Sequence, residues 1–264
     1  MRLLLCIALF LQFGYLQASI VILNGLTHTY KVEGGQVYKG KIEMENTGNS
    51  LQNVKIFMQD YSYKADGTIS YIKPHTNEKT NADWIKLNTN LITLKAKEKT
   101  EVYYEITVPH QVADSGSYWS VIIVEPVEDI KPSDSKGGVN ISSIIRYAIQ
   151  IITDYDSENA KPDLKFESIR IDKEEGKRSL KIAIANIGKL YCKSTATVEV
   201  YSRKTGQKAG IFSSQAMSLL PSTSKSFFID ISKLPPDKYN AVVIATDENE
   251  NAFAINVELD VKND

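Results

Sequence analysis

The sequence predicts an all-β protein made of two tandem immunoglobulin-like β-sandwiches that follow a cleaved signal peptide. Three observations predict this fold. Nearly every segment after residue 18 has the pattern of a β-strand between turn residues, and several of these segments alternate apolar and polar residues. No helical period of useful length appears there. The two halves of the chain repeat the same short signatures, and about seven short strands per half suit a sandwich.

The first 18 residues have the pattern of a secretory signal peptide. Met1 and Arg2 precede an apolar run from Leu3 to Phe13, and the small residues Ala18 and Ser19 mark the expected cleavage point. No later apolar run approaches the roughly 20 residues that a membrane helix needs. We therefore expect a periplasmic or secreted protein without a membrane span.

Residues 19–155 are predicted to form the first sandwich. Its last two strands are Tyr118–Glu125 and the longer Val139–Thr153, joined by a polar connection rich in Pro, Ser and Gly. The remaining strands are predicted at residues 19–23, 26–32, 37–45, 54–63, 69–72, 84–87, 91–94 and 101–108. A strand of fifteen residues exceeds the usual length of about five or six. We therefore expect it to outlast its neighbours and offer an open edge to another chain.

Residues 156–162 are polar and end in Lys161-Pro162, which predicts a linker. Residues 163–264 are predicted to form the second immunoglobulin-like sandwich, similar to a fibronectin type III domain. Its strands are predicted at residues 164–171, 180–185, 196–201, 210–212, 224–231, 239–245 and 252–261.

Two signatures occur in both halves. An alternating strand ends in Asn46-Thr47-Gly48 and again in Asn186-Ile187-Gly188. Tyr118 and Tyr239 each enter a strand directly after a turn, which predicts a tyrosine corner whose hydroxyl bonds to an upstream backbone group.

Composition and motifs favour a binding protein over an enzyme. The formal net charge is −1 with acids and bases mixed, which gives no indication of nucleic-acid binding. Three histidines, His28, His75 and His110, have no metal-ligand spacing, and no phosphate loop, dinucleotide fingerprint or nucleophile elbow occurs. Cys6 leaves with the signal peptide, so Cys192 is expected to be an unpaired and passive residue. We expect no catalytic residues, no metal and no cofactor.

Two carboxylate groupings and one aromatic grouping leave alternatives open. Asp60 with Asp83 could be a catalytic pair, and Asp247 with its acidic neighbours a Ca²⁺ loop, but solvated acids near turns are the preferred interpretation of both. The aromatic residues could form a platform for a peptide or glycan, or could fill the core. These residues are Tyr61, Tyr63, Tyr71, Trp84, Tyr103, Tyr104, Tyr118 and Trp119.

Several motifs resemble those of exported two-domain immunoglobulin-like proteins, among them the bacterial pilus-assembly periplasmic chaperones; the first domain is also similar to WxL-interacting surface proteins. The motifs are Asn46-Thr47-Gly48, residues 61–71 around Ala65-Asp66-Gly67-Thr68, residues 81–85, and residues 115–126. The resemblance covers most of residues 19–155 and, more loosely, the second domain.

The resemblance implies a chaperone-like protein that captures an exported subunit or surface protein by β-strand addition along residues 139–153. The implied partner-binding residues are Ile141, Ile145, Tyr147, Ile149 and Ile151. Such chaperones also hold the carboxyl terminus of a pilus protein with a basic pair, for which this sequence offers Arg146 and Lys31 but no Arg on the first strand. The alternative is an extracellular structural or adhesion module that binds protein or glycan through its aromatic first domain.

Overall fold

The computed structural model describes residues 20–127, 144–174 and 177–262. The predicted signal peptide and the connection that contains Ile141 lie outside these ranges. Within them the regular secondary structure consists of β-strands apart from two short 3-10 helices at Ala82–Trp84 and Ser157–Asn159. The all-β prediction is confirmed.

The first ten strands of the described ranges form two facing sheets. They are β1 (Ile20–Ile22), β2 (Thr27–Val32), β3 (Val37–Asn46), β4 (Gln52–Tyr63), β5 (Ile69–Ile72), β6 (Ile85–Leu87), β7 (Leu91–Leu94), β8 (Lys99–Thr107), β9 (Gly116–Val127) and β10 (Tyr147–Tyr155). One sheet has the order β1-β3-β8-β6, and the other has the order β2-β10-β9-β4-β5 with β7 also on β4. Apolar side chains such as Ile42, Ile56 and Ile122 fill the space between them.

The chain changes sheets between β1 and β2. Asn24 holds the crossing point against β3, since its Nδ2 donates to the Lys41 carbonyl (2.8 Å) and its Oδ1 accepts from the Glu43 N–H (3.0 Å). The next residue, Gly25, has φ +87°, a left-handed conformation that favours glycine. Because of this switch, β1 pairs with β3 whereas β2 pairs with β10.

The remaining strands form a second pair of sheets. They are β11 (Leu164–Glu174), β12 (Lys177–Asn186), β13 (Cys192–Ser202), β14 (Lys208–Ser213), β15 (Met217–Leu219), β16 (Thr223–Asp230), β17 (Asp237–Asp247) and β18 (Ala252–Val261). The orders are β11-β12-β16 and β14-β13-β17-β18, with β15 also on β13. Leu180, Val198 and Phe227 lie fully buried in this second core. The short strand β15 was not predicted from the sequence.

The repeated signatures have the same geometry in both sandwiches. The Gly48 N–H donates to Asn46 Oδ1 and the Gly188 N–H to Asn186 Oδ1, each at 3.0 Å. Both asparagines are fully buried, and their amide groups donate to carbonyls of neighbouring loops and strands. Each residue therefore closes the end of its strand by satisfying buried backbone acceptors.

The predicted tyrosine corners are confirmed. The Tyr118 hydroxyl donates to the Asp114 carbonyl (2.9 Å), and the Tyr239 hydroxyl donates to the Pro235 carbonyl (2.7 Å). Each bond spans four residues.

Candidate partner-binding edge

Strand β9 is the centre of the candidate site. Its residues from Gly116 to Val124 are all buried, because β9 lies between β4 and β10 and both of its faces are covered. The unbroken apolar run Val121 to Val124 suits such a strand. Strand β9 pairs antiparallel with β10 along the whole length of β10. The register begins with Tyr147 opposite Val124 and ends with Tyr155 opposite Gly116.

Asn81 ties β9 to β10 from the loop that precedes β6. Its Nδ2 donates to the carbonyls of Tyr118 (3.2 Å) and Ile151 (3.0 Å), and its Oδ1 accepts from the Ser120 hydroxyl (2.6 Å). The residue is fully buried, so these bonds are shielded from water. Sequence analysis did not identify this role, although Asn81 begins one of the motifs that carry the family resemblance.

The described part of β10 is shorter and less open than predicted. It runs from Tyr147 to Tyr155, whereas the sequence predicted a strand over 139–153, of which 139–143 lies outside the described residues. From Gln150 to Tyr155 it pairs in parallel with β2, from Thr27 to Val32. Six of the nine residues of β10 are therefore covered on both sides, and the prediction of an open edge over 139–153 is wrong for residues 150–153. The sequence did not reveal that β2 would cover it.

An open edge remains at Tyr147–Ile149, because β2 begins only at Thr27. The Gln150 N–H donates to the Leu26 carbonyl (2.9 Å), so the backbone of Gln150 faces the β2 side. Backbone groups two residues apart face the same side of a strand. The N–H and C=O of Ala148 therefore face the side where no described strand is paired.

The chain before β10 presents exposed apolar side chains. Ile144 and Ile145 are 50% and 48% exposed, and Leu26, where β2 approaches β10, is 46% exposed. Exposed apolar groups beside an unpaired strand edge are features that an added strand can cover.

Two of the other predicted apolar residues on β10 belong to the core, and the third packs against it. Ile149 and Ile151 are 0% exposed and lie in the apolar core of the first sandwich, and Tyr147 is partly buried against that core. Side chains alternate between the two faces of a strand, so the odd positions of β10 point between the sheets. Ile149 and Ile151 therefore hold β10 in place and are not free for a partner.

The predicted basic pair is not brought together. Arg146 precedes β10 and forms an ion pair with Glu125 on β9. Lys31 lies opposite Asp154, at the other end of β10. Lys31 also lines a cavity of about 500 Å³ that it shares with the carboxylates of Glu33 and Asp154, among others. This acidic setting does not suit the capture of a partner carboxylate.

Most of the predicted aromatic platform is buried. Five of its eight members are buried: Tyr63, Trp84, Tyr104, Tyr118 and Trp119. Tyr61 and Tyr71 stack with ring centroids 5.1 Å apart, and Tyr71 and Tyr103 are exposed. The interpretation of these rings as core residues therefore holds for the majority of the group.

The candidate carboxylates have structural partners. Asp60 was expected to be solvated, yet it is fully buried and accepts from the N–H groups of Thr76 (2.7 Å) and Asn77 (2.8 Å). Asp83 is exposed and pairs with His75. Asp247, also buried, accepts from the N–H groups of its own turn. Asp60 and Asp247 thus satisfy loop backbone groups, which corrects the expectation of solvated acids.

Cys192 is buried, and its burial raises the pKa of its thiol to about 12. Such a thiol is protonated and unreactive near neutral pH. In the described part of the chain, no group of three or more His, Cys, Asp or Glu side chains is placed to hold a metal ion. Across the same residues, no helix has the length and apolar character to cross a membrane.

No protein-family model and no curated protein matches the sequence. Several solved structures do. The YadV chaperone is 13% identical, covering 91% of this chain and 100% of its own, with a TM-score of 0.45. The CsuC-CsuE chaperone-tip adhesion subunit pre-assembly complex of Acinetobacter baumannii Csu pili is 18% identical. The match covers 90% of this chain and 98% of the matched chain, with a TM-score of 0.46. The Salmonella enterica SafA pilin in complex with the SafB chaperone is 11% identical. The match covers 93% of this chain and 99% of the matched chain, with a TM-score of 0.44. Similarity at these levels does not assign this chain to a family.

Proposed function

We propose that the chain is an exported, non-enzymatic, chaperone-like protein that captures an extended segment of a partner by β-strand addition at Tyr147–Ile149 and the residues before it. The observation that supports this proposal best is the β2–β10 register, which ends at Thr27 and Gln150 and leaves the backbone of Ala148 facing an unpaired side. An added strand would satisfy these backbone groups by the ordinary hydrogen bonds of a sheet.

Side chains beside this edge would supply selectivity. Ile145 and Tyr147 are the described members of the proposed contact set, whereas Ile141, which also belongs to the predicted set, lies outside the described residues. Arg146 lies between them and could meet a partner's acidic group if its pair with Glu125 opened. Ile149 and Ile151 would support the edge from the core. Lys31, which the sequence analysis included among the binding residues, is not part of the proposed contact set.

The proposed partner is an exported pilus-type subunit or surface protein, which is the class of partner that the sequence resemblance implies. The proposed compartment is the periplasm or the extracellular space, because the first 18 residues have the pattern of a signal peptide.

A structural or adhesion module that binds protein or glycan is the second candidate. The stacked pair Tyr61–Tyr71 favours it, since flat rings near the surface can contact a sugar or a peptide. The burial of most other aromatic residues in the group makes it the weaker candidate.

Affinity capture from the envelope fraction of the source organism tests the proposal. We expect the tagged wild-type protein to recover one exported protein in stoichiometric amount, and Ile145→Asp to recover at least about tenfold less, a loss of about 1.4 kcal/mol. Ile255→Asp, at another exposed apolar residue on the distant strand β18, is the matched control and should behave as wild type.

Equal recovery by Ile145→Asp and wild type would contradict strand addition at this edge. Recovery of glycan alone, lost in Tyr71→Ala, would instead support the second candidate.

A further inference from the structure

A groove lies where the β4–β5 hairpin of the first sandwich meets β12, β15 and β16 of the second. Its cavity volume is about 310 Å³. Its lining includes Tyr61, Tyr63, Lys64, Ile69, Lys181, Met217, Lys225 and Phe228. We call it the hairpin groove. It mixes basic and apolar side chains from both sandwiches.

Three lysines of the hairpin groove form no ion pair with a described carboxylate. The Lys225 ammonium lies 4.4 Å from the centroid of the Tyr63 ring, and the Lys181 ammonium lies 5.2 Å from that of Phe228. Lys64 donates to the carbonyl of Ser222 (3.2 Å). Among the described residues, no carboxylate is within ion-pairing distance of any of these ammonium groups. Three ammonium groups and one carboxylate, that of Asp66, line the groove, so its described side chains carry a surplus of positive charge.

The burial of Lys225 disfavours its charged form. Burial lowers the pKa of its ammonium, and no acidic group offsets that effect. A ligand carboxylate beside Lys225 would stabilise the charged ammonium, because an opposite charge in a partly desolvated site is screened less than at an open surface.

The apolar part of the groove is also incompletely covered. Ile69 and Phe228 are 57% and 52% exposed, although both belong to strands. Asp66, the acidic residue in the lining, directs its carboxylate to the N–H of Thr68 in its own turn (2.8 Å). A suitable ligand would thus combine negative charge with an apolar group.

We propose that the hairpin groove binds an acidic segment of a protein partner, with two side-chain carboxylates on either side of an aromatic or apolar residue. Charge complementarity favours this occupant over a single carboxylate, because the three ammonium groups come from three separate elements around the cavity. This site does not depend on strand addition at β10, and it is tested separately.

Isothermal titration calorimetry with short peptides tests the assignment. The first probe is an acetylated and amidated hexapeptide with a central Glu-Phe-Glu, and the second replaces both Glu residues with Gln. We expect the acidic peptide to bind at least tenfold more tightly than its Gln counterpart. The Lys181→Gln/Lys225→Gln double variant should lose that difference, whereas Lys193→Gln, at an exposed lysine of β13, should keep it.

Equal binding of the two peptides, no binding of the acidic peptide, or unchanged binding by the folded double variant would each overturn the proposal. A third peptide with Gln-Phe-Gln and a free C-terminal carboxylate distinguishes the source of the charge. Tighter binding of this peptide than of the acidic one would assign the groove to a chain end instead. Thermal melting checks folding, and Lys181→Gln alone provides the readout if the double variant is unstable.

Discussion

Asp154 is the buried carboxylate through which β10 contacts the second sandwich. Its Oδ1 accepts from the Ser117 hydroxyl (2.5 Å), and the Ser117 Oγ accepts from the Tyr191 N–H (2.7 Å). Burial raises the pKa of Asp154, while the hydrogen bond from Ser117 and the charge of Lys31 lower it to a smaller extent. The net effect is a raised pKa, so folding disfavours the charged form of Asp154.

This direction predicts how stability depends on pH. Because the folded-state pKa lies above the usual 3.8, the folded protein holds the proton more tightly than the unfolded chain does. The contribution of Asp154 to the free energy of unfolding is therefore fully present below pH 3.8 and is lost as pH rises through the folded-state pKa. Asp154→Asn should remove this loss and gain stability relative to wild type over that pH range.

Urea unfolding at a series of pH values measures the difference. Asp156→Asn is the control, since Asp156 is exposed and has a left-handed conformation that Asn tolerates. A wild-type curve that gains stability relative to Asp154→Asn with rising pH would refute the assignment.

At the scale of elements, the β9–β10 pair could be predicted from the sequence only in part. The tyrosine corners were predictable because each bond spans four residues and follows a recognisable turn. The bonds of Asn81 to Tyr118 and Ile151 span 37 and 70 residues, and no local pattern marks them. The same holds for β2, whose parallel pairing covers residues 150–153 of the strand predicted as an edge. Local periodicity identifies strands but not the distant partners that bury them.

The bonds of Asn81 predict a cost for its removal. Asn81→Ala should lower the free energy of unfolding by about 3 kcal/mol, because it removes three buried hydrogen bonds, to the carbonyls of Tyr118 and Ile151 and from the Ser120 hydroxyl. Urea unfolding monitored by tryptophan fluorescence gives the value. The control is Asn240→Ala, at an exposed position of β17. A loss no larger than in the control would show that Asn81 does not anchor the pair.

At the scale of the whole molecule, the two sandwiches meet through a small apolar cluster and direct hydrogen bonds. Tyr63, Trp119 and Ile152 of the first sandwich pack with Leu220 of the second. The Tyr63 hydroxyl donates to the Ser218 carbonyl and accepts from the Leu220 N–H, both at 3.0 Å. The sequence predicted two domains but gave no sign of this contact, since its members are scattered along the chain.

Tyr63→Phe should loosen this contact while sparing both cores. The change removes the acceptor of the Leu220 N–H, so hydrogen exchange at that amide should accelerate by roughly fivefold, for a loss of about 1 kcal/mol. Site-resolved exchange by NMR measures it. Tyr38→Phe removes a hydroxyl contact inside the first sandwich and should leave Leu220 unchanged. Equal exchange at Leu220 in wild type and Tyr63→Phe would contradict the role of this bond.

The most direct test of strand addition uses the backbone of Ala148. Proline at this position removes the N–H that faces the unpaired side, while Tyr147 and Ile149 keep their bonds to β9. Ala148→Ser keeps the N–H and is the matched control. In affinity capture from the envelope fraction, we predict that wild type and Ala148→Ser recover the same exported partner and that folded Ala148→Pro does not. Undiminished recovery by Ala148→Pro would contradict the account.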